Sequence, residues 1–274
     1  MFFTEELVDK MNIKIEKHYI CYFDLLGYKE FIENNPTKHK TFLVNIEAII
    51  GKVENIIIDN NNGFNIKYRT YSDNFLLFAK RFDNNDDSIM LDTLSRIMRK
   101  IQLCLLADFE IIIRGGITIG EFFADEKIVF GSGLVRAYEL ESLIAKMPRI
   151  VVDKELFEVN MDWLIQDECI ALDYDNVAYI NFFRSVESLK YSRGKIIKMV
   201  RTNCKYHYSV ADNQKILQKE KVIEKYIWLL IKFNAQCENL HCIDLKIEYE
   251  LRINERLMKT EVEVISNITK QRAM

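Results

Sequence analysis

The sequence has few breakers and few metal ligands: two prolines, nine glycines and four histidines in 274 residues. So few prolines and glycines exclude collagen-like and low-complexity architectures and leave room for long uninterrupted helices and strands. His18, His39, His207 and His241 give a zinc site little to work with, and His241 and Cys242 beside Cys237 form a zinc-like cluster with no second half. The six cysteines (Cys21, Cys104, Cys169, Cys204, Cys237, Cys242) are scattered without a CxxC pair. Most stand among apolar neighbours, the usage of buried free thiols in a reducing compartment. Positive charge is not in excess, with 38 Lys and Arg against 41 Asp and Glu and a net charge of −3, so there is no general attraction for nucleic acid or an anionic membrane. No run approaches the roughly 18 apolar residues of a membrane span, and Glu5 and Glu6 stand where a signal peptide carries cations. The expectation is a cytoplasmic protein with neither membrane nor nucleic acid as partner. Hydrophobic residues at 49% and charged residues at 29% supply the core of one large domain.

Against that background one carboxylate stands out. Tyr-Ile-Cys-Tyr-Phe-Asp-Leu-Leu-Gly-Tyr, residues 19 to 28, runs five β-prone residues into Asp24 and closes at Gly27. A short continuous apolar run of this kind predicts a strand buried on both faces, where a charge needs a hydrogen bond, a cation or a metal. The strand itself contains no Lys or Arg to pair with Asp24. Two readings stay open here: a metal ligand, or a cap for a helix starting near Tyr28. A second stretch, Ile66 to Phe78, has two strand-like runs around Ser72-Asp73-Asn74 and predicts a hairpin with Asp73 at its tip. Ordinary turn chemistry explains Asp73 alone. Two such carboxylates in one chain also suit a two-metal site for phosphoryl chemistry.

Further along, Phe42 to Ile58 carries apolar residues at helical spacing, and Ser88 to about Ala107 predicts another helix behind a helix-capping acidic loop, Asp83 to Asp87. Glu110 to Glu121 predicts a strand with Gly115 and Gly116 in its middle, a place where a backbone or a ligand approaches closely. Gly131-Ser132-Gly133 opens a helix from Leu134 to Ala145, either as a phosphate-holding helix start or as a plain turn. Val177 to Phe183 is strand-like, Lys190 to Arg201 is basic, and Asn213 to Ala235 is strongly helical. The organisation expected is a lead-in over residues 1 to 17, a main domain over 18 to 203 and a C-terminal helical extension over 204 to 274.

In order and spacing, Phe-Asp-Leu-Leu-Gly-Tyr, the hairpin Ser-Asp, Arg-Gly-Gly-Ile-Thr-Ile-Gly and Gly-Ser-Gly-Leu-Val-Arg-Ala-Tyr-Glu-Leu-Glu-Ser resemble the class III nucleotidyl cyclase catalytic domain. Tyr-Glu-Leu-Glu, Ala-Lys-Met-Pro-Arg-Ile and the late Lys-Tyr-Ile-Trp resemble its divergent bacterial branch, which contains the pyrimidine cyclases of Pycsar antiphage defence. The resemblance covers about Tyr19 to Asp153 well and the rest loosely. It implies an α+β fold, a ferredoxin-like palm whose antiparallel sheet is covered by helices. It further implies two Mg²⁺ or Mn²⁺ ions on Asp24 and Asp73, with Leu25 as a further ligand, and a nucleoside triphosphate as substrate. Leu25, Leu26, Gly27 and Tyr28 would border its phosphates and Arg69 and Tyr71 its base, with Gly115 and Gly116 beside it. Arg136 would steady the transition state, in a homodimer. The family's catalytic Asn and Arg positions are Val135 and Glu139 here, and its base-reading Asp falls near Ile128. These departures suit a pyrimidine base pocket or a catalytically silent nucleotide- or partner-binding protein; a palm-type polymerase would share the metals.

Overall fold

The structure, a computed structural model, describes residues 14–28, 32–33, 37, 39–82, 87–159, 169–204 and 213–248. Most of the lead-in, residues 83–86 of the acidic loop, the start of the helix expected after Tyr28 and the C-terminal part of the extension lie outside them. The first elements are β1 (Glu16–Leu25), α1 (His39–Asn60), β2 (Lys67–Tyr71), β3 (Asn74–Lys80), α2 (Asp87–Phe109) and β4 (Ile113–Ala124). This is a β-α-β-β-α-β unit with strand order β2-β3-β1-β4 and every neighbouring pair antiparallel, the ferredoxin-like arrangement expected. Beyond β4 the sheet continues through β6 (Ile150–Val152), paired parallel, and then through β8 (Ala178–Ile180) and β7 (Ile170–Leu172). A short β5 (Val129–Phe130) pairs with the end of β4.

The period of two along β1 sorts its side chains between the two faces of the sheet. Tyr19, Cys21, Phe23 and Leu25 enter the main core with Ile49, Val53 and Ile57 of α1 and Leu91, Leu94, Ile97 and Ile101 of α2. Phe23 stacks on Phe75 with ring centroids 4.9 Å apart. Each such side chain contributes about 1.5–3 kcal/mol on burial. Ile20, and Tyr22 beside it, go to the other face with Leu76, Phe78 and Phe122, under Ala137 of α3 (Ser132–Glu139). Asp24 continues that second series, so the strand's own alternation takes the carboxylate away from the main core.

Close backbone approach brings α3 onto the sheet. A Cβ on Gly120 would stand 2.5 Å from Gly133 Cα, and one on Gly116 would stand 2.3 Å from Leu140 Cβ. Leu140 begins a π-helical turn, Leu140–Ile144, that continues α3. Gly115 is equally tight, its would-be Cβ lying 2.3 Å from the Tyr22 carbonyl oxygen. What lies on the paired glycines, where a substrate contact was expected of Gly115 and Gly116, is the protein's own helix and neighbouring strand. Gly131 has φ +141°, and a Cβ there would stand 2.1 Å from the Glu121 carbonyl oxygen, so the glycine pair 131 and 133 serves this packing.

A second core joins the C-terminal helices to the sheet. Leu189, Ile196, Met199 and Val200 of α5 (Val186–Cys204) meet Trp228, Leu229, Leu230 and Phe233 of α6 (Asn213–Asn239), with Tyr179, Phe182 and Phe183. Between the cores lies a buried charge cluster: Arg149 binds Asp173 and reaches Asp175 at 2.5 Å, while Trp228 Nε1 and Lys232 Nζ approach Asp173 at 2.8 and 2.5 Å. Full hydrogen bonding is what makes such a buried carboxylate tolerable. A six-residue helix, α4 (Lys154–Val159), follows β6.

Candidate functional site

Asp24 and Asp73 come together because two strand ends do. β1 and β3 pair with Asp24 opposite Asn74, and the Leu25 amide donates to the Asp73 carbonyl at 3.1 Å. The hairpin tip is held by its own side chains: Tyr22 Oη donates to Asn74 Oδ1 at 2.7 Å, and Asn74 Nδ2 donates to Asp73 Oδ1 at 3.2 Å. Ser72, the first of the two loop residues, has φ +60°, the positive φ that tight hairpin loops require. Both aspartates open into one cavity of about 300 Å³, lined also by Leu25, Leu26, Gly27, Tyr28 and Arg114.

The electrostatics show carboxylates in excess. Arg114 stands opposite Asp24 in the β1–β4 register and places Nε 3.2 and 3.3 Å from its two oxygens. The same Nε lies 2.7 Å from Glu141 Oε1 on the π-helical turn. That contact is off the N–H direction, and the buried Glu141 Oε1 accepts no hydrogen bond. Burial, followed by the charge of Asp24, pushes the Glu141 carboxyl up to about 7. Burial also raises Asp24, against the pull of Arg114. One guanidinium thus serves two buried carboxylates with a third, Asp73, close by. Among the described residues no group of three or more His, Cys, Asp and Glu side chains is ready-made around a metal. Even so, hard oxygen donors, mutual repulsion and an orphaned buried carboxylate oxygen fit a divalent cation such as Mg²⁺ or Mn²⁺.

The other expected site residues divide. Leu25, Leu26, Gly27 and Tyr28 line the cavity, but the Leu25 and Leu26 amides already donate to the carbonyls of Asp73 and Ile112, at 3.1 and 2.9 Å. These two amides are therefore engaged within the protein. Arg69 reaches the carbonyl of Asp125 at 3.2 Å from β2, and Tyr71 is half exposed; neither lines the cavity. Arg136 is not brought to the aspartates within the protomer. It makes paired bonds to Asp153 at 2.9 and 2.8 Å, where Thr118 Oγ1 also donates. The basic stretch after Lys190 is absorbed by the protein too, since Lys195 and Lys198 bind Glu110 and Arg193 binds the Leu245 carbonyl.

Lining or contacting residues that were not anticipated include Arg114, Glu141, Asn203 and Lys225. For Arg114 the signal was present, as the residue just before the paired glycines on a strand expected to enter the sheet. Glu141 depends on the π-helical turn, which shifts side-chain direction without any sequence mark. Asn203 and Lys225 depend on long-range docking of α5 and α6.

No protein-family model matches the sequence, and no curated protein matches it. Solved structures similar to the chain include the monomeric guanylyl cyclase domain of the RhoGC fusion protein from the aquatic fungus Blastocladiella emersonii. That match has a TM-score of 0.47 and 13% identity, and covers 61% of this chain and 95% of that one. The adenylyl cyclase CyaB from P. aeruginosa gives 0.43 and 18%, with 56% and 84% covered. An adenylate/guanylate cyclase/hydrolase from Silicibacter pomeroyi gives 0.40 and 17%, with 61% and 95% covered.

Proposed function

We propose that the protein is a metal-dependent nucleotidyl cyclase that converts a ribonucleoside triphosphate to its 3′,5′-cyclic monophosphate and pyrophosphate. The observation that carries this reading is the meeting of Asp24 and Asp73 in one cavity, where the buried Glu141 shares the guanidinium that pairs with Asp24. Asp24 and Asp73, with Leu25, would hold two Mg²⁺ or Mn²⁺ ions, which supply charge neutralisation for the phosphates and a more acidic ribose hydroxyl. In the reaction the 3′-hydroxyl gives its proton to water, its oxygen bonds to the α-phosphorus, the bond from the α-phosphorus to the bridging oxygen breaks, and pyrophosphate leaves with that electron pair. The chain's own part is positioning. Tyr22 and Asn74 fix Asp73, Arg114 fixes Asp24, and the loop of residues 25 to 28 borders the phosphates, with Arg69 and Tyr71 assigned to the base. Arg136, kept on Asp153 in the protomer, acts only where a dimer delivers it to the second protomer's site.

The proposal extends to a homodimer, a pyrimidine substrate (UTP or CTP), a cytoplasmic location and a role as messenger in antiphage defence. The dimer is supported by the apolar surface of α3 and its π-helical turn, where Val135 and Leu143 are 58% and 62% exposed and Tyr138 and Ile144 add to the patch. The pyrimidine and defence roles rest on the sequence resemblance. Among the described residues no helix is long and apolar enough to cross a membrane. A second reading, a silent cyclase-fold protein that binds a nucleotide or a partner, is favoured by one contact: Arg114 occupies Asp24. The experiment is product analysis by chromatography and mass, with Mn²⁺ and each of the four ribonucleoside triphosphates, beside Asp73→Ala. A cyclic monophosphate from one base, lost in the variant, carries the first reading. Nucleotide or Mn²⁺ binding without product carries the second.

A further inference from the structure

Glu141 stands on the π-helical turn inside the fold, its side chain 5% exposed, and it is not among the described residues that line the cavity of Asp24 and Asp73. A carboxyl buried this deeply is costly unless its oxygens are paired, yet among the described residues Oε1 of Glu141 accepts no hydrogen bond. What it faces is Arg114. The Nε of that guanidinium lies 2.7 Å from Glu141 Oε1 but turns its N–H to Asp24. On Asp24 the three bonds, from Nε and Nη2, measure 3.2–3.3 Å, long for charge-assisted bonds, which ordinarily run about 2.7–2.9 Å. Arg114 is thus bonded loosely to one carboxylate and touches a second without a bond. Both backbones are fixed, Arg114 by its pairing with β1 and Glu141 by the packing of Leu140 over Gly116, so a rotation of the arginine side chain is enough to exchange the partners.

We propose that Glu141 is a positioning residue, the alternate partner of Arg114: as Asp24 takes a divalent cation, the guanidinium turns from Asp24 to Glu141 and leaves both Asp24 oxygens to that cation. The inference rests on the reading of Asp24 as a cation ligand. Without a second carboxylate in reach, Arg114 would either stay on Asp24 and compete for its oxygens or be left half-buried without a counter-charge. With Glu141 beside it, the bond between Arg114 and Asp24 is a resting contact and not a block.

The test is Mn²⁺ binding to the full chain, followed by the electron paramagnetic resonance signal of the free ion, with a thermal melt of each variant in the absence of metal. Glu141→Gln keeps the shape of the side chain and removes its charge. It should weaken Mn²⁺ binding at least about fivefold, because Arg114 then stays on Asp24. Glu141→Met should do the same, and neither should lower the melting temperature. In an Arg114→Gln background, Glu141→Gln should change Mn²⁺ affinity by less than about twofold, since the group through which it acts is gone. An equal loss in both backgrounds would make Glu141 a cation ligand or a plain negative charge near the site, and overturns the inference. A loss below about fivefold in the otherwise wild-type chain overturns it too and leaves the cation reading standing. So does a lowered melting temperature with Mn²⁺ affinity intact, or failure of both variants to fold, either of which marks a structural anchor. A wild type that binds no Mn²⁺, or binds it no more tightly than Asp24→Asn does, overturns the cation reading and the inference together.

Discussion

Arg114 and Asp24 face one another across β1 and β4, with guanidinium nitrogens 3.2–3.3 Å from both carboxylate oxygens. The contact makes Arg114 an internal counter-ion at a site we propose to hold cations. Removing it should cost about 2–3 kcal/mol, less than for a fully buried pair because both side chains keep some exposure. Arg114→Gln should therefore melt early in the absence of metal and gain more from added Mn²⁺ than the wild type does. Equal Mn²⁺ shifts in a thermal melt would show that arginine and cation do not share a role.

Asp24→Asn and Asp73→Asn should each abolish the Mn²⁺-dependent rise in melting temperature. Product formation should fall on the order of a thousandfold, the scale of several kcal/mol of charge stabilisation. A Mn²⁺ shift that survives both substitutions would place the cation elsewhere.

How much of this could be seen in the sequence follows from where each contact is decided. Asp24 and Asp73 were legible because a strand end and a hairpin tip are local patterns, and both helices of the palm were legible from their periodicity. Gly115 and Gly116 correctly marked a close approach, but periodicity cannot say that the approaching atom is Leu140. Glu141 and Lys225 reach the site through a π-helical turn and a distant helix, decisions taken by packing between segments far apart in the chain. Arg136 shows the opposite case, a residue on the expected helix whose charge Asp153 claims first.

The glycine packing predicts a contrast. Gly116→Ala would drive a methyl group to 2.3 Å from Leu140 Cβ and should cost about 1–3 kcal/mol. Gly51→Ala, in the interior of α1 with nothing within 4 Å, should stabilise by roughly 0.4–1 kcal/mol. Chemical denaturation of the two variants beside the wild type checks both signs.

The Arg136–Asp153 pair predicts a pH dependence. Burial alone would raise the Asp153 carboxyl, but hydrogen bonds from Arg136 and Thr118 hold it below the usual carboxylate range. A carboxyl whose folded value is lowered stabilises the fold fully above its unfolded value, about 3.9, and loses that contribution as pH falls through the folded value. Asp153→Asn should thus be less stable than the wild type at pH 7, with the gap closing below about pH 4. A gap that stays constant with pH would assign the loss to packing.

Among the described residues α6 lies C-terminal to every strand of the sheet, yet it supplies part of the cavity lining and part of the second core. During synthesis both aspartates are made before that helix. A ribosome-bound or prematurely terminated chain would carry the carboxylates without that lining, so on the cyclase reading a complete site waits for polypeptide translated past the helix.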